Sequence, residues 1–132
     1  MIKKITIFLP SLEHGGAENV YVNLANFYCH QNFKVDFLLT KKKGPLIKRL
    51  NSKINIVDFD QTKTIKSIFF LLKYFFKNKP VIFLTALHNS NIAASISHKI
   101  AGSKSVLVLK ECNNFSEKIN SMNFLKKYLF KL

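Results

Sequence analysis

Apolar residues fall along this chain in short runs and longer stripes that alternate from one end to the other. Ile5, Thr6, Ile7, Phe8 and Leu9 make a β-rich run that Pro10 stops, which predicts a first strand at about Lys4–Leu9. Within Ala17–Gln31, the residues Ala17, Val20, Tyr21, Leu24, Ala25 and Tyr28 take the i, i+3, i+4, i+7, i+8, i+11 spacing of one buried helical stripe. Glu18, Asn19, Asn23 and Asn26 are expected on its wet side. Val35, Phe37, Leu38 and Leu39 in Lys34–Thr40 form the nearly continuous apolar run of a parallel strand covered on both faces. Pro45 is placed to start a short helix through about Leu50, and Ile54, Ile56, Val57 and Phe59 make a third strand.

The alternation continues. Thr64–Asn78 reads as a helix with Ile65, Ile68, Phe69, Leu72, Phe75 and Phe76 on its stripe, while Phe70, Leu71 and Tyr74 fall on the far side among Lys66, Lys73 and Lys77. A helix apolar nearly all round and set with lysine is either deeply packed or lying on a membrane, and the pattern leaves both open. Pro80 ends it, and Val81–Thr85 is a fourth strand. Asn89 or Ser90 can cap the next helix, which uses Ile92, Ala93, Ile96 and Ile100 before Gly102 stops it. Ser105–Leu109 is a fifth strand, with Glu111-Cys112-Asn113-Asn114 as a polar loop at its carboxyl end. A last helix is expected at about Ser121–Leu132. Strands alternating with helices predict an α/β, Rossmann-like, three-layer domain with a mostly parallel five-stranded sheet, all of it one domain over residues 1–132.

Composition changes this picture chiefly through charge. The net charge of +14 is almost wholly lysine, with Arg49 the only arginine. Such a chain favours anionic partners. Nucleic-acid readers lean on arginine for bidentate contacts, so nucleic acid is an unlikely partner and an anionic membrane surface ranks above it. Cys29 and Cys112 lie far apart with no C-x-x-C and no metal-ligand spacing, which fits a reducing cytoplasm, no disulfide framework and no metal. The run after Lys3-Lys4 is too short for a signal-peptide core, and no segment approaches the ~20 apolar residues that span a bilayer. The expected location is cytoplasmic, with a peripheral place on the inner face of the plasma membrane left open.

The candidate chemistry gathers at strand ends. Gly15-Gly16 sits between the first strand and the first helix, where two residues without Cβ let a backbone approach a ligand and the helix dipole favours phosphate. A plain tight turn explains the pair equally well, and the dinucleotide pattern G-x-G-x-x-G is absent. Glu18 suits the first turn of a helix as a dipole-favoured acid. His88 follows the fourth strand, at the edge where α/β folds bind ligands, although a solvent-facing loop histidine is the plainer reading. His14 lies beside the glycines, whereas His30 and His98 read as helix-surface residues. Glu111 and Asn113 at a strand end are better placed, and nothing orients a Cys112–His nucleophile pair.

Three ordered motifs carry a resemblance. Pro10-Ser11-Leu12 with Gly15-Gly16-Ala17-Glu18, Val20 and Asn23-Leu24-Ala25 is the first. The strand Val81–Leu84 with the helix start Asn91-Ile92-Ala93 is the second, and Glu111-Cys112-Asn113 after the fifth strand is the third. Together they resemble the N-terminal domain of the family-4-like glycosyltransferases of the GT-B fold, over essentially the whole chain. Relatives commonly place Arg or His where Cys112 stands. The resemblance implies the N-terminal half of a nucleotide-sugar-dependent transferase, of hexosyl type, in cell-envelope glycan or glycolipid synthesis. It implies a UDP- or GDP-sugar as donor substrate, no tightly bound cofactor, and a glycan or lipid-linked acceptor. Gly15, Gly16, Glu18, Asn91, Glu111 and Asn113 would line the substrate or phosphate site, with Glu111 and His88 the candidates for catalysis. The donor-binding domain, with its Glu-x7-Glu motif, would be a missing further domain or a separate subunit. The N-terminal domain is expected to be incomplete at its C-terminal end, and the chain alone is expected to be inactive. The alternatives are a truncated gene remnant or a non-catalytic, basic membrane-surface binding module.

Overall fold

A computed structural model describes residues 3–111. The predicted helix at Ser121–Leu132, together with Cys112 and Asn113, lies outside the described residues. The elements run β1 (Lys4–Leu9), α1 (Gly16–His30), β2 (Lys34–Leu39), β3 (Asn55–Asp58), α2 (Ile68–Lys77), β4 (Ile82–Ala86), α3 (His88–Ala101) and β5 (Val106–Lys110), with 3-10 turns at Pro45–Arg49 and Thr64–Ser67. The five strands pair in parallel throughout, in the order β3-β2-β1-β4-β5. This is the α/β, Rossmann-like layout that the alternation predicts.

Period-two alternation splits the strands between two cores. Ile5, Ile7 and Leu9 of β1, with Val35, Phe37 and Leu39 of β2, face α1 and pack with Tyr21, Val22 and Ala25. Phe8, Leu38 and Phe83 point the other way, into Leu71, Tyr74 and Phe75 of α2 and Ala93 and Ala94 of α3. The three central strands are therefore covered on both faces.

The helices keep their places, and α1 keeps its predicted face, with Tyr21 and Ala25 buried and Ala17, Leu24 and Tyr28 packed against the same core, whereas α2 and α3 depart from theirs. On α1, Val22 is buried and Val20 stands about half exposed. The predicted wet row is not free: Arg49 donates to Asn19 Oδ1 (2.6 Å) and Asn23 Oδ1 (3.1 Å), and Asn26 Nδ2 donates to the Arg49 carbonyl (2.8 Å). This polar seam seats the Pro45–Arg49 turn against α1 and sets the rotation of the helix. On α2, Leu71, Tyr74 and Phe75 are buried whereas Phe69 and Phe76 are exposed, as is Ile65 in the 3-10 turn before it, reversing much of the predicted stripe. A buried acid explains the reversal. Asp36 of β2 is 2% exposed and is paired by Lys4 Nζ (3.1 Å), by Asn55 Nδ2 (3.2 Å) and by the Tyr74 hydroxyl (2.6 Å). A carboxylate so deep must be paired, and Tyr74 reaches it only if α2 turns that side inward. Since Tyr74 donates to Asp36, the Thr6 hydroxyl 2.6 Å away donates to Tyr74.

On α3 the buried positions are Ser90, Ala93, Ala94 and Ser97, while Ile96 and Ile100 point outward. Small residues let the helix lie close to the sheet and to α2: Ser97 Oγ donates to the carbonyls of Ala93 (2.7 Å) and Ile68 (3.3 Å). The helix starts at His88 with Leu87 at its N-cap and no side-chain cap, so neither Asn89 nor Ser90 caps it. His98 is not a plain surface residue, because its Nε2 lies 2.8 Å from the Ser105 carbonyl and its ring meets Phe75 edge-on.

Candidate functional site

The strand order reverses direction between β1 and β4, and α/β sheets bind ligands outside the carboxyl ends of the strands at such a point. Two loops leave the sheet there, Pro10–Gly15 after β1 and the turn at Leu87 after β4.

The first loop is held from the side. Leu12 is fully buried, its N–H donates to the Lys43 carbonyl (2.9 Å), and its carbonyl accepts from Leu46 N (3.1 Å). Gly44, at φ 112°, permits this approach, since a Cβ there would fall on the Leu12 carbonyl. Sequence reasoning missed Gly44, whose only signal was its place in a Lys-Lys-Lys-Gly-Pro loop. The Gly15-Gly16 pair behaves differently. Gly15 is the N-cap of α1 in extended backbone that any residue adopts, and its carbonyl accepts from Asn19 N (3.1 Å) and Asn19 Nδ2 (2.9 Å). The Glu18 carboxylate folds back against Gly15, so the positive end of α1 already has a neighbouring acid. Around Gly16 the space is open. A ligand entering here meets a bare helix start and a carboxylate that accepts hydrogen bonds.

The second loop is strained and bolted. Leu87 has φ 74° and ψ 145°, a conformation that costs a side-chain-bearing residue on the order of 1–3 kcal/mol and clusters at ligand sites. Its N–H donates to the Lys110 carbonyl (3.2 Å), its carbonyl accepts from Asn91 N (2.9 Å), and Asn91 Nδ2 donates to the same Lys110 carbonyl (3.1 Å). The start of α3 is thereby fixed to the end of β5, which brings His88, Asn91 and Glu111 together. His88 Nδ1 lies 3.7 Å from Glu111 Oε2, and both side chains are mostly covered, so His88 is not the solvent-facing loop residue expected. From the α1 side, the Tyr21 hydroxyl donates to the Thr85 carbonyl (3.4 Å).

Four buried polar atoms at this edge have no hydrogen-bond partner: Thr85 Oγ1, Ser90 Oγ, Asn91 Oδ1 and Glu111 Oε1. Leaving such a group unsatisfied costs about 1–3 kcal/mol, so each of the four asks for a partner. Asn91 Oδ1 and the Glu111 carboxylate oxygen accept only, and the two hydroxyls donate or accept. The set is complementary to a ligand rich in hydroxyl or N–H groups. Asn91 and Glu111 were legible from their motifs. Thr85 and Ser90 were not read as site residues, although Thr85 is the one polar residue in an otherwise apolar strand. His14 is exposed beside Gly15, and His30 lies exposed at the end of α1. Among the described residues no group of three or more His, Cys, Asp and Glu could hold a metal, and no helix is long and apolar enough to cross a membrane. No family model and no curated protein sequence matches the chain.

Proposed function

We infer that the chain forms the acceptor-side, N-terminal half of a nucleotide-sugar-dependent glycosyltransferase of the GT-B fold, acting in cell-envelope glycan or glycolipid synthesis. The observation that carries this reading is the cluster of orphaned buried atoms on Thr85, Ser90, Asn91 and Glu111 at the reversal point of the sheet. A sugar ring presents hydroxyl groups at several angles, which is what four separated acceptors and donors require. Support also comes from the motifs Gly15-Gly16-Ala17-Glu18 and Asn91-Ile92-Ala93, which lie at the starts of α1 and α3, the helices that follow the two loops. In this reading Gly16 gives a donor phosphate or an acceptor close access to the α1 backbone, and Glu18 and Asn91 hold hydroxyls. The same reading gives the His88–Glu111 pair the proton that the acceptor hydroxyl loses as it attacks the anomeric carbon and the bond to the nucleoside diphosphate breaks. A second Rossmann-like half, as a further domain or a separate subunit, would supply the donor side.

Amide chemical-shift mapping of the chain tests this with UDP-glucose, GDP-mannose and a short lipid-linked oligosaccharide. The expected result is saturable shifts at Gly16, Asn91 and Glu111 with at least one of them. Asn91→Ala combined with Glu111→Gln should then weaken binding at least about tenfold, the worth of one or two good hydrogen bonds. Saturable shifts elsewhere on the surface, or none at millimolar ligand, would overturn the assignment.

A further inference from the structure

The outward face of α2 is built from a second kind of side chain. Phe69 is 78% exposed and Phe76 is 66% exposed, with Ile65 beside them. Lys66, Lys73 and Lys77 flank them on the same stretch of chain. At 100° per residue, Phe69 and Phe76 share one strip and the lysines run along its side. The neighbouring α3 repeats the arrangement with Ile96, Lys99 and Ile100. Between Asp60 and Glu111 the sequence contains eight lysines and no acidic residue, and both helices come from that stretch.

Beside α2 a groove of about 570 Å³ opens toward the edge strand β3, with Phe59 and Phe70 stacked in its wall at 5.2 Å. Lys4, Lys34, Lys73 and Lys77 line it. Lys4 is engaged by Asp36 and Asn78, whereas Lys34, Lys73 and Lys77 form no ion pair among the described residues. The acids that face the groove are already engaged. Asp36 is buried in its own network, and Asp58 accepts from Lys42 N and Asp60 N.

We propose that α2 and α3 lie on an anionic lipid bilayer, with Phe69 and Phe76 entering the interface and Lys66, Lys73 and Lys77 over the phosphate headgroups. A helix of this kind buries its apolar strip about 5–10 Å below the headgroups while its lysines stay at the surface. Charge and apolar area act together here, since the lysines bring the face to a negative surface and the exposed rings leave water once there. The exposed residues of this surface are none of those that make the carboxyl-edge site, and the proposal does not depend on the function inferred for that site.

The chain has no tryptophan, so Phe69→Trp places a single reporter in the proposed contact. With the full chain and phosphatidylcholine vesicles doped with phosphatidylglycerol, the indole emission should shift to the blue and be quenched by brominated acyl chains. Pure phosphatidylcholine should give little change. Lys73→Glu with Lys77→Glu should cut vesicle affinity at least about tenfold, and Phe69→Ser with Phe76→Ser by a similar factor. Lys48→Glu with Lys53→Glu makes the same charge change away from this face and should alter affinity less than about threefold, which separates the site from the general attraction of a basic chain. An equal loss in that control overturns the proposal. So does sedimentation with vesicles while the indole of the Phe69→Trp variant stays in water, or no sedimentation at low salt. A vesicle-free dimer abolished by Phe69→Ser would overturn it too, and would assign the face to a second copy.

Discussion

At Gly44 the backbone runs at φ 112° against the Leu12 carbonyl, whereas a Cβ on Gly16 would meet nothing. The two glycines therefore predict opposite outcomes. Gly44→Ala should lower stability by about 2 kcal/mol or more, because the residue is strained and has no room, and a urea titration would show the lowered midpoint. Gly16→Ala should raise stability by up to about 1 kcal/mol, since alanine suits a helical position better than glycine. If the α1 backbone receives a ligand at Gly16, the same substitution weakens sugar-nucleotide binding while it stabilises the fold. The adjacent pair stands out in the sequence, yet it is the glycine inside a lysine-rich loop whose absent side chain the fold requires. Its need arises from a contact with Leu12, far back along the chain, which no local pattern records.

Among the elements, strand positions were nearly all legible because each strand is short, apolar and bounded by a breaker, as with Ile5–Leu9 before Pro10. The rotation of α1 was legible too, since Tyr21, Leu24, Ala25 and Tyr28 meet the core, but that of α2 and α3 was not. Counting apolar residues puts Phe69 and Phe76 inside α2, but the paired Asp36 draws Tyr74 inward instead. Counting puts Ile96 and Ile100 inside α3 along with Ala93, but close packing keeps Ala93 and selects Ala94 and Ser97 beside it. The one visible hint was an acid set in the apolar run Val35-Asp36-Phe37. Burial and the Asp36 carboxylate push the Tyr74 phenol well above its ordinary 10.0. A folded-state value raised above the unfolded one stabilises the fold fully below about pH 10, and the contribution fades as pH rises beyond it. Tyr74→Phe should cost about 1.5–3 kcal/mol near neutral pH through the hydrogen bond lost to a charged acceptor. It should also flatten the alkaline fall in stability, which urea midpoints at about pH 8 and above about pH 10 would compare.

Over the whole molecule, the +14 charge opposes compactness while favouring anionic partners. Raising ionic strength from about 0.01 to about 0.15 M shortens the screening length from about 30 to about 8 Å. Folding stability should therefore rise over that range as vesicle binding falls, and parallel urea and cosedimentation series would show the opposite slopes. The strand order carries a consequence of another sort. β1, β2 and β3 are complete by Asp58, but the free edge of β1 receives β4 only from Ile82 onward. At about 5–20 residues per second, a nascent chain emerging from the ribosome leaves that apolar edge unpaired for on the order of a second or more. The middle of the finished sheet is thus, during synthesis, its most vulnerable border, and a chaperone that holds nascent chains would act on β1 before any other strand.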